Sequence, residues 1–293
     1  MRWTIASSSN MQEKANKKVI IRPSHGWLHL PIREIMDYRD LLFFLVRRDL
    51  TAIYKQSILG PVWFVLQPLA TTLVFTVIFG RVAKVGTDGL PPFLFYMSGM
   101  VLWHYFAGCL NGVSSSLITN AALLRKVYVP RLAIPISLVI SSLAQFLLNL
   151  GTFLCFYIYF YFFTPVQLTP SWWVLCLPLL VVHCAVAGLG AGLWLAALTV
   201  KYRDLRFALP FFSQLWLYLT PIIFPASKVT SKWRIMLAIN PMASVVEFNR
   251  FAFLGRGVVE SSFIVVGAAC TLLLLLTGLI AFNRVQRTFV DTI

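Results

Sequence analysis

The amino-acid sequence predicts an all-α integral membrane protein with six transmembrane helices. Hydrophobic residues make up 59% of the 293 positions and charged residues 12%, whereas soluble proteins are roughly a quarter charged. The charged residues are also segregated, because none occurs between Arg131 and Lys201. An uncharged run of this length requires a hydrocarbon solvent.

The first 60 residues are too rich in charge to cross a bilayer. Residues 1–30 are polar and basic, and we expect a flexible cytoplasmic tail. Residues 31–60 show helical periodicity, with apolar side chains on one face and charged side chains on the other. This pattern is typical of a helix lying in the membrane interface. A soluble amphipathic helix packed on another domain is the alternative.

The transmembrane domain is predicted at residues 61–283, and residues 284–293 form a short cytoplasmic tail. A bilayer crossing requires about 20 apolar residues at a rise of roughly 1.5 Å per residue. The long uncharged run holds two crossings, because its TPVQLTPS sequence at 164–171 predicts a turn. The six crossings are predicted at residues 61–80, 92–117, 132–163, 172–199, 207–227 and 261–283.

Residues 228–258, between the last two crossings, are too many for a turn and too interrupted for a crossing. They contain a short apolar run that is broken by Asn240-Pro241. Proline ends or kinks a helix, and short apolar segments suit re-entrant or interfacial positions. We therefore expect two short re-entrant helices at the outer surface.

The distribution of Lys and Arg predicts that both termini are cytoplasmic. The segments on the side of the termini carry 18 of the 25 cations, and the opposite side carries seven. Cytoplasmic loops are enriched in Lys and Arg. The formal net charge of +15 is therefore explained by orientation and by attraction to anionic membrane lipid, and no nucleic-acid partner is expected.

The sequence contains no pattern typical of a catalytic site. No carboxylate lies in a predicted crossing, and no glycine is followed by lysine, so the chain has no P-loop. The five cysteines lie in apolar segments without a CxxC pair, which predicts neither a disulfide nor a metal site. We expect no catalytic residue and no cofactor in this chain, so any ATP that drives it is hydrolysed elsewhere.

Two kinds of side chain in the crossings have alternative explanations. Aromatic clusters could line a channel for sugars, because aromatic faces stack on sugar rings, or could pack in a core or an interface belt. The candidates for a channel lining are Trp103, Tyr105, Phe106, Tyr157 and Tyr159. The Gly-xxx-Gly steps permit close helix packing, within one subunit or between subunits. They lie at Gly108/Gly112 and Gly188/Gly192.

Four stretches, in order along the chain, resemble type-2 ABC exporter permeases. Residues 54–63 (YKQSILGPVW), followed by Gln67-Pro68-Leu69, resemble the junction between the interfacial helix and the first span. The resemblance is to the branch that exports lipid-linked polysaccharides such as O-antigen and teichoic acid. The other stretches are 124–131 (LRKVYVPR), 202–204 (YRD) and 220–225 (TPIIFP), with Asn240-Pro241 and Arg250 beyond them.

This resemblance covers roughly residues 33–290, and two features depart from it. Val129 stands where an aromatic residue commonly precedes Pro-Arg, and the first 30 residues are an extension. The resemblance implies a homodimer of six-helix subunits in a bacterial inner membrane. It also implies two copies of a separate P-loop ATPase subunit, which bind ATP and Mg²⁺, and an undecaprenyl-pyrophosphate-linked polysaccharide as cargo. A permease of the same fold for a small molecule or drug, and a membrane-embedded glycan-modifying enzyme, are the alternatives.

The resemblance also assigns three groups of functional residues. The loops that would contact the ATPase contain Arg125, Lys126, Tyr128, Arg131, Tyr202, Arg203 and Asp204. The interfacial helix and the loop that follows it contain Arg47, Arg48, Tyr54, Lys55, Ser57, Gly60 and Trp63. The outer gate contains Asn240, Pro241 and Arg250.

Overall fold

A computed structural model describes residues 37–55, 60, 62–126, 130–202 and 204–292, and the long regular elements in these ranges are α-helices. The predicted tail at residues 1–30 lies outside them. The helices are α1 (Arg39–Lys55), α2 (Val62–Phe75), α3 (Pro92–Thr119), α4 (Ala121–Lys126), α5 (Ala133–Phe163), α6 (Leu177–Lys201), α7 (Leu205–Leu219), α8 (Ser231–Ala238), α9 (Pro241–Leu254) and α10 (Ser261–Thr292).

Five helical segments of the described residues are long and apolar enough to cross a membrane. A π-helical stretch extends α2, and a short 3₁₀ stretch precedes α6. The five segments are Val62–Val82, Pro92–Thr119, Ala133–Phe163, Trp172–Lys201 and Ser261–Val285. They overlap five of the six predicted crossings.

The remaining predicted crossing, at 207–227, differs from the structure at its C-terminal end. Helix α7 has 15 residues and ends at Leu219, so it is about 22 Å long, short of the roughly 30 Å hydrocarbon core. Thr220 is extended, with φ −95° and ψ 141°, because the residue before a proline avoids the α region. Residues 220–223 then continue as a buried non-helical segment. The count of six crossings stays a prediction.

Helix α6 lies at the centre of the subunit, between α3 and α10. On one face, a Cβ added at Gly192 would lie 2.6 Å from the Cβ of Val113 in α3. Gly188 approaches Cys109 of α3 equally closely. This Gly-xxx-Gly step is therefore used for packing inside one subunit, which was one of the two alternatives.

The opposite face of α6 uses a different glycine. A Cβ added at Gly190 would lie 2.7 Å from the backbone nitrogen of Leu275 and 2.8 Å from the carbonyl carbon of Leu274, both in α10. Gly278 of α10 in turn approaches the carbonyl oxygen of Gly190. The backbones of α6 and α10 are thus in direct contact, and no side chain separates them at this point.

The first apolar helix is the least enclosed of the five. Only 11% of the residues in its most apolar stretch are buried, compared with 78% for α3. Its contacts with other long helices are to α3 and α5. Most of its surface therefore faces the surroundings of the subunit.

The segment before the last helix folds as two short helices, α8 and α9. The break between them falls at Asn240-Pro241, at the predicted place. Asn240 caps α9, because its Oδ1 accepts a hydrogen bond from the Met242 backbone N–H at 3.1 Å. Gly255, with φ +70°, ends α9 in the left-handed conformation that favours glycine.

Candidate functional site

Helix α1 packs on the elements predicted to contact an ATPase. Leu45 is buried with Ala133 and Ile134 at the start of α5, and Leu123 and Leu124 of α4 pack against this cluster. The three elements come from separate parts of the sequence. Their common apolar cluster packs the three elements directly against one another.

A polar contact joins the same elements. Arg48 of α1 donates a hydrogen bond to the Oδ1 of Asn120 at 3.0 Å and forms an ion pair with Asp49 at 2.8 Å. Asn120 is buried and lies between α3 and α4; its carbonyl accepts the backbone N–H groups of Leu123 and Leu124. Asn120 was not predicted from the sequence, although an amide at the end of a predicted crossing is a recognisable signal.

We expect the Arg48→Ala variant to loosen the docking of α1. A hydrogen bond to a charged donor contributes about 1.5–3 kcal/mol, and partial exposure of Arg48 reduces this to about 1 kcal/mol. Thermal unfolding of the detergent-purified protein measures the loss. Arg47→Ala is the matched control, because Arg47 is exposed and adjacent. Equal destabilisation by the two variants would contradict a specific role for the Arg48–Asn120 contact.

The other residues predicted for this face have mixed positions. Lys126, Tyr202 and Asp204 are exposed, Arg131 is half-buried, and Trp63 is half-exposed. Gly60 has φ +51°, a conformation that glycine adopts without steric cost. Ser57, Tyr128 and Arg203, and the side chains of Tyr54, Lys55 and Arg125, lie outside what the structure describes.

The second predicted loop is tied to the first by the helices that precede them. Thr199, near the C-terminal end of α6, donates a hydrogen bond to the carbonyl of Ser114 in α3 at 3.3 Å. Lys201 lies 5.2 Å from the ring centroid of Tyr202. The exposed cations and Tyr202 therefore belong to one end of the bundle.

A buried ion pair organises the opposite end. Arg250 and Glu247, in α9, are each 1% exposed, and their N–O distance is 2.9 Å. Arg250 also donates to the carbonyls of Pro221 and Ile222, and its guanidinium lies 3.6 Å from the ring centroid of Phe95. The arginine thus satisfies the carbonyls that the non-helical segment after α7 leaves without helical partners.

Glu247 secures the chain on both sides of α9. Its carboxylate accepts the backbone N–H of Ala226 at 3.2 Å and that of Val258 at 3.0 Å. Arg250 was predicted at the outer gate, but its partner was missed. The i, i+3 spacing of Glu247 and Arg250 was the available signal.

Asn240, another predicted outer residue, connects α7 with α9. Its Oδ1 accepts the indole N–H of Trp216 at 3.0 Å, and its Nδ2 donates to the Thr220 hydroxyl at 2.9 Å. Asn240 therefore links the C-terminal part of α7 directly to the start of α9.

The aromatic candidates for a channel lining separate into two groups. Trp103, Tyr105 and Phe106 are 3%, 2% and 0% exposed and belong to the core around α3. They contact protein within the subunit, so in this conformation they line no open path. Tyr157 is half-buried and donates to the Phe253 carbonyl at 3.0 Å, whereas Tyr159 is exposed.

Together, the long apolar helices indicate a multi-pass membrane protein. Among the described residues, no group of three or more His, Cys, Asp or Glu side chains could hold a metal ion. A family model for the ABC-2 type transporter matches residues 40–254. The chain belongs to this family.

Its curated relatives include permeases of O-antigen export systems. The O-antigen export system permease protein RfbA of Myxococcus xanthus is 30% identical over 264 residues, which cover 89% of this chain and 98% of the relative. An RfbA permease of Klebsiella pneumoniae is 28% identical over 252 residues, covering 86% and 94% respectively. The similarity places the chain in the O-antigen branch of the type-2 ABC permeases and indicates a transporter subunit.

Proposed function

We propose that this chain is the permease subunit of an ATP-driven exporter that moves an undecaprenyl-pyrophosphate-linked, O-antigen-type polysaccharide across the bacterial inner membrane. The observation that carries the proposal is the similarity to O-antigen export permeases over almost the full length of both chains. Function resides in sites rather than in folds, so the proposal also depends on the surfaces at the two ends of the bundle.

The cytoplasmic surface, in the predicted orientation, is suited to a separate ATPase subunit. Lys126 and Arg206 are exposed there, and cations on short helices pair with carboxylates across an interface. ATP and Mg²⁺ would bind to two copies of the ATPase. Closure of the ATPases would displace α4, and the Leu45 cluster and the Arg48–Asn120 contact would transmit that displacement to α1.

A homodimer would place the cargo path between two subunits. Helix α7 offers a suitable wall, because Phe207 and Phe211 are 83% and 62% exposed and Gln214 donates to the Tyr218 hydroxyl at 3.1 Å. Exposed aromatic faces stack on sugar rings, and an amide offers hydrogen bonds. This free face of α7 replaces Trp103, Tyr105 and Phe106 as the proposed lining.

Charge reversal in α4 tests the proposed coupling. The Arg125→Glu/Lys126→Glu double variant should insert normally but lose the co-purifying ATPase, because two attractive contacts at an interface become repulsive. Affinity purification measures retention of the ATPase, and gel analysis of surface glycan measures export.

The matched control is Arg81→Glu/Lys84→Glu. It reverses two exposed cations at the C-terminal end of the first apolar helix, on the side of the membrane opposite the predicted ATPase surface. We expect this control to retain the ATPase. Full ATPase retention and export in the α4 variant would contradict the proposed coupling role.

A further inference from the structure

The two short helices before α10 are held to the bundle in different ways. Twelve of the 14 residues of α9 are buried, including the ion pair of Glu247 and Arg250. Of the α8 side chains that the structure describes, only that of Ala238 is buried, and Trp233 and Met236 are exposed. Helix α9 is therefore part of the core, whereas α8 lies on the surface.

Helix α8 belongs to a surface segment with a buried residue at each end. Ala226 is fully buried, and its backbone N–H donates to the Glu247 carboxylate at 3.2 Å. Ala238 packs with Ala243 and Phe263 in a small apolar cluster. Residues 227–237, between these two anchors, form what we call the flap. A displacement of the flap about its two ends would leave the buried ion pair of α9 intact.

Two adjacent residues of the flap contact the loop between the first apolar helix and α3. The Ser227 hydroxyl donates a hydrogen bond to the Asp88 carboxylate at 2.7 Å, and this contact is exposed to solvent. Lys228 places its ammonium against Gly86, because a Cβ added at Gly86 would overlap the lysine Nζ. We call these four residues the outer clasp. It joins segments 139 positions apart in the sequence.

The loop side of the outer clasp is fixed but strained. Thr87, between Gly86 and Asp88, is buried and donates a hydrogen bond to the Leu90 carbonyl at 2.6 Å. Asp88 has φ +51°, which is costly for a residue with a Cβ, although aspartate adopts it more readily than most. Water competes for the exposed hydrogen bond of Ser227, so its net contribution is small. Backbone strain and contact energy therefore oppose each other, which favours reversible release.

A second exposed contact holds the flap in its middle. Arg234 pairs with Glu260, just before α10, at 2.7 Å, and the two side chains are 25% and 50% exposed. An exposed ion pair contributes little to stability. The flap is thus attached by weak surface contacts between two buried ends, unlike α9 beside it.

From these contacts, we infer that the outer clasp holds the flap over the outer end of the subunit and releases it during the transport cycle. The inference rests on the proposed export function. Asn240, Pro241 and Arg250, which the resemblance assigned to the outer gate, lie in or beside the fixed helix α9. The moving part is the flap, and the loop after the first apolar helix, which the sequence gave no role, controls it.

A reversible cross-link tests whether release is required. Gly86→Cys/Lys228→Cys places two thiols at the outer clasp and leaves the Ser227–Asp88 hydrogen bond intact. Gly86 is outside the left-handed conformation, so it accepts a side chain once the lysine is shortened. A short bis-methanethiosulfonate bridges the thiols in cells that contain the permease and its ATPase. Surface glycan should fall to the level of cells without the permease and recover after reduction.

The matched controls are the two single-cysteine variants, which react with the reagent but cannot form the bridge, and both should export normally. Full export by the bridged protein would overturn the inference, because it would show that the clasp stays closed throughout transport. Equal loss of export in a single variant would also overturn it, since modification alone would then explain the effect.

The yield of the bridge gives a measurement that does not depend on cargo. In the purified complex with its ATPase, a brief exposure to the reagent should bridge about fivefold less protein when ATP is present, the population change that one weak surface contact produces. An identical yield with and without ATP would overturn release of the clasp. If the unbridged protein exports no glycan, the proposed function fails, whereas this yield still decides whether the clasp opens.

Discussion

Replacing Arg250 by methionine is expected to lower the free energy of unfolding by about 3–5 kcal/mol, because it leaves Glu247 as a buried charge without its partner. The same substitution deprives the Pro221 and Ile222 carbonyls of their donors. Thermal unfolding of the detergent-purified protein, followed by tryptophan fluorescence, measures the effect. We also expect loss of glycan export, since the segment after α7 would no longer be held against α9.

The control for this prediction is Arg234→Met in the same region. Arg234 pairs with Glu260, but the two side chains are 25% and 50% exposed, and an exposed pair contributes about 0–1 kcal/mol. The double variant Glu247→Leu/Arg250→Met distinguishes two explanations. If the double variant recovers stability, the loss in Arg250→Met comes from the unpaired Glu247 carboxylate. If the double variant is as unstable as Arg250→Met, the loss comes from the backbone groups that no longer have hydrogen-bond partners. A single Arg250→Met variant as stable as Arg234→Met would contradict both.

Gly190→Ala is expected to destabilise the protein by about 1–3 kcal/mol, the usual cost of overpacking a close contact. The new Cβ would meet backbone atoms of Leu274 and Leu275, and backbone in two packed helices cannot yield as a flexible side chain does. The gain in helix propensity, about 0.5–1 kcal/mol, is too small to offset the clash. The melting temperature and the recovery of folded protein by size-exclusion chromatography measure the result.

Gly151→Ala serves as its counterpart. Gly151 lies inside α5, and a Cβ there meets nothing within 4 Å. The propensity gain is then unopposed, so this variant should be neutral or stabilised by up to about 1 kcal/mol. Similar destabilisation by both substitutions would show that the cost arises from the loss of glycine in general and not from the contact between α6 and α10.

The apolar helices were predictable because their main determinant, about 20 residues without charge, is local. The predicted crossing at 92–117 corresponds to Pro92–Thr119, and the one at 132–163 to Ala133–Phe163. The early end of α7 also had a local signal in Thr220-Pro221, but the run of apolar residues that follows conceals it. Hydrophobicity indicates the surroundings of a segment and does not by itself indicate helix.

The faces of these helices were much less predictable. Trp103 and Tyr159 are aromatic residues in uncharged helices, yet one is buried in the core and the other is exposed. In a soluble helix, polarity distinguishes the inner face from the outer face, whereas in a membrane both faces are apolar. The contact of Arg48 with Asn120 was hidden for a different reason, since it joins residues 72 positions apart.

The direct backbone contact between α6 and α10 has a consequence for biosynthesis. The ribosome delivers α6 many residues before α10, so we expect the Gly190 surface of the nascent protein to face lipid until α10 inserts and packs against it. Membrane helices insert individually and associate afterwards. Chains truncated before Ser261 should therefore reach the bilayer yet remain incompletely assembled, and quality-control proteases should remove them. On this expectation, insertion of α10 completes the packing around α6.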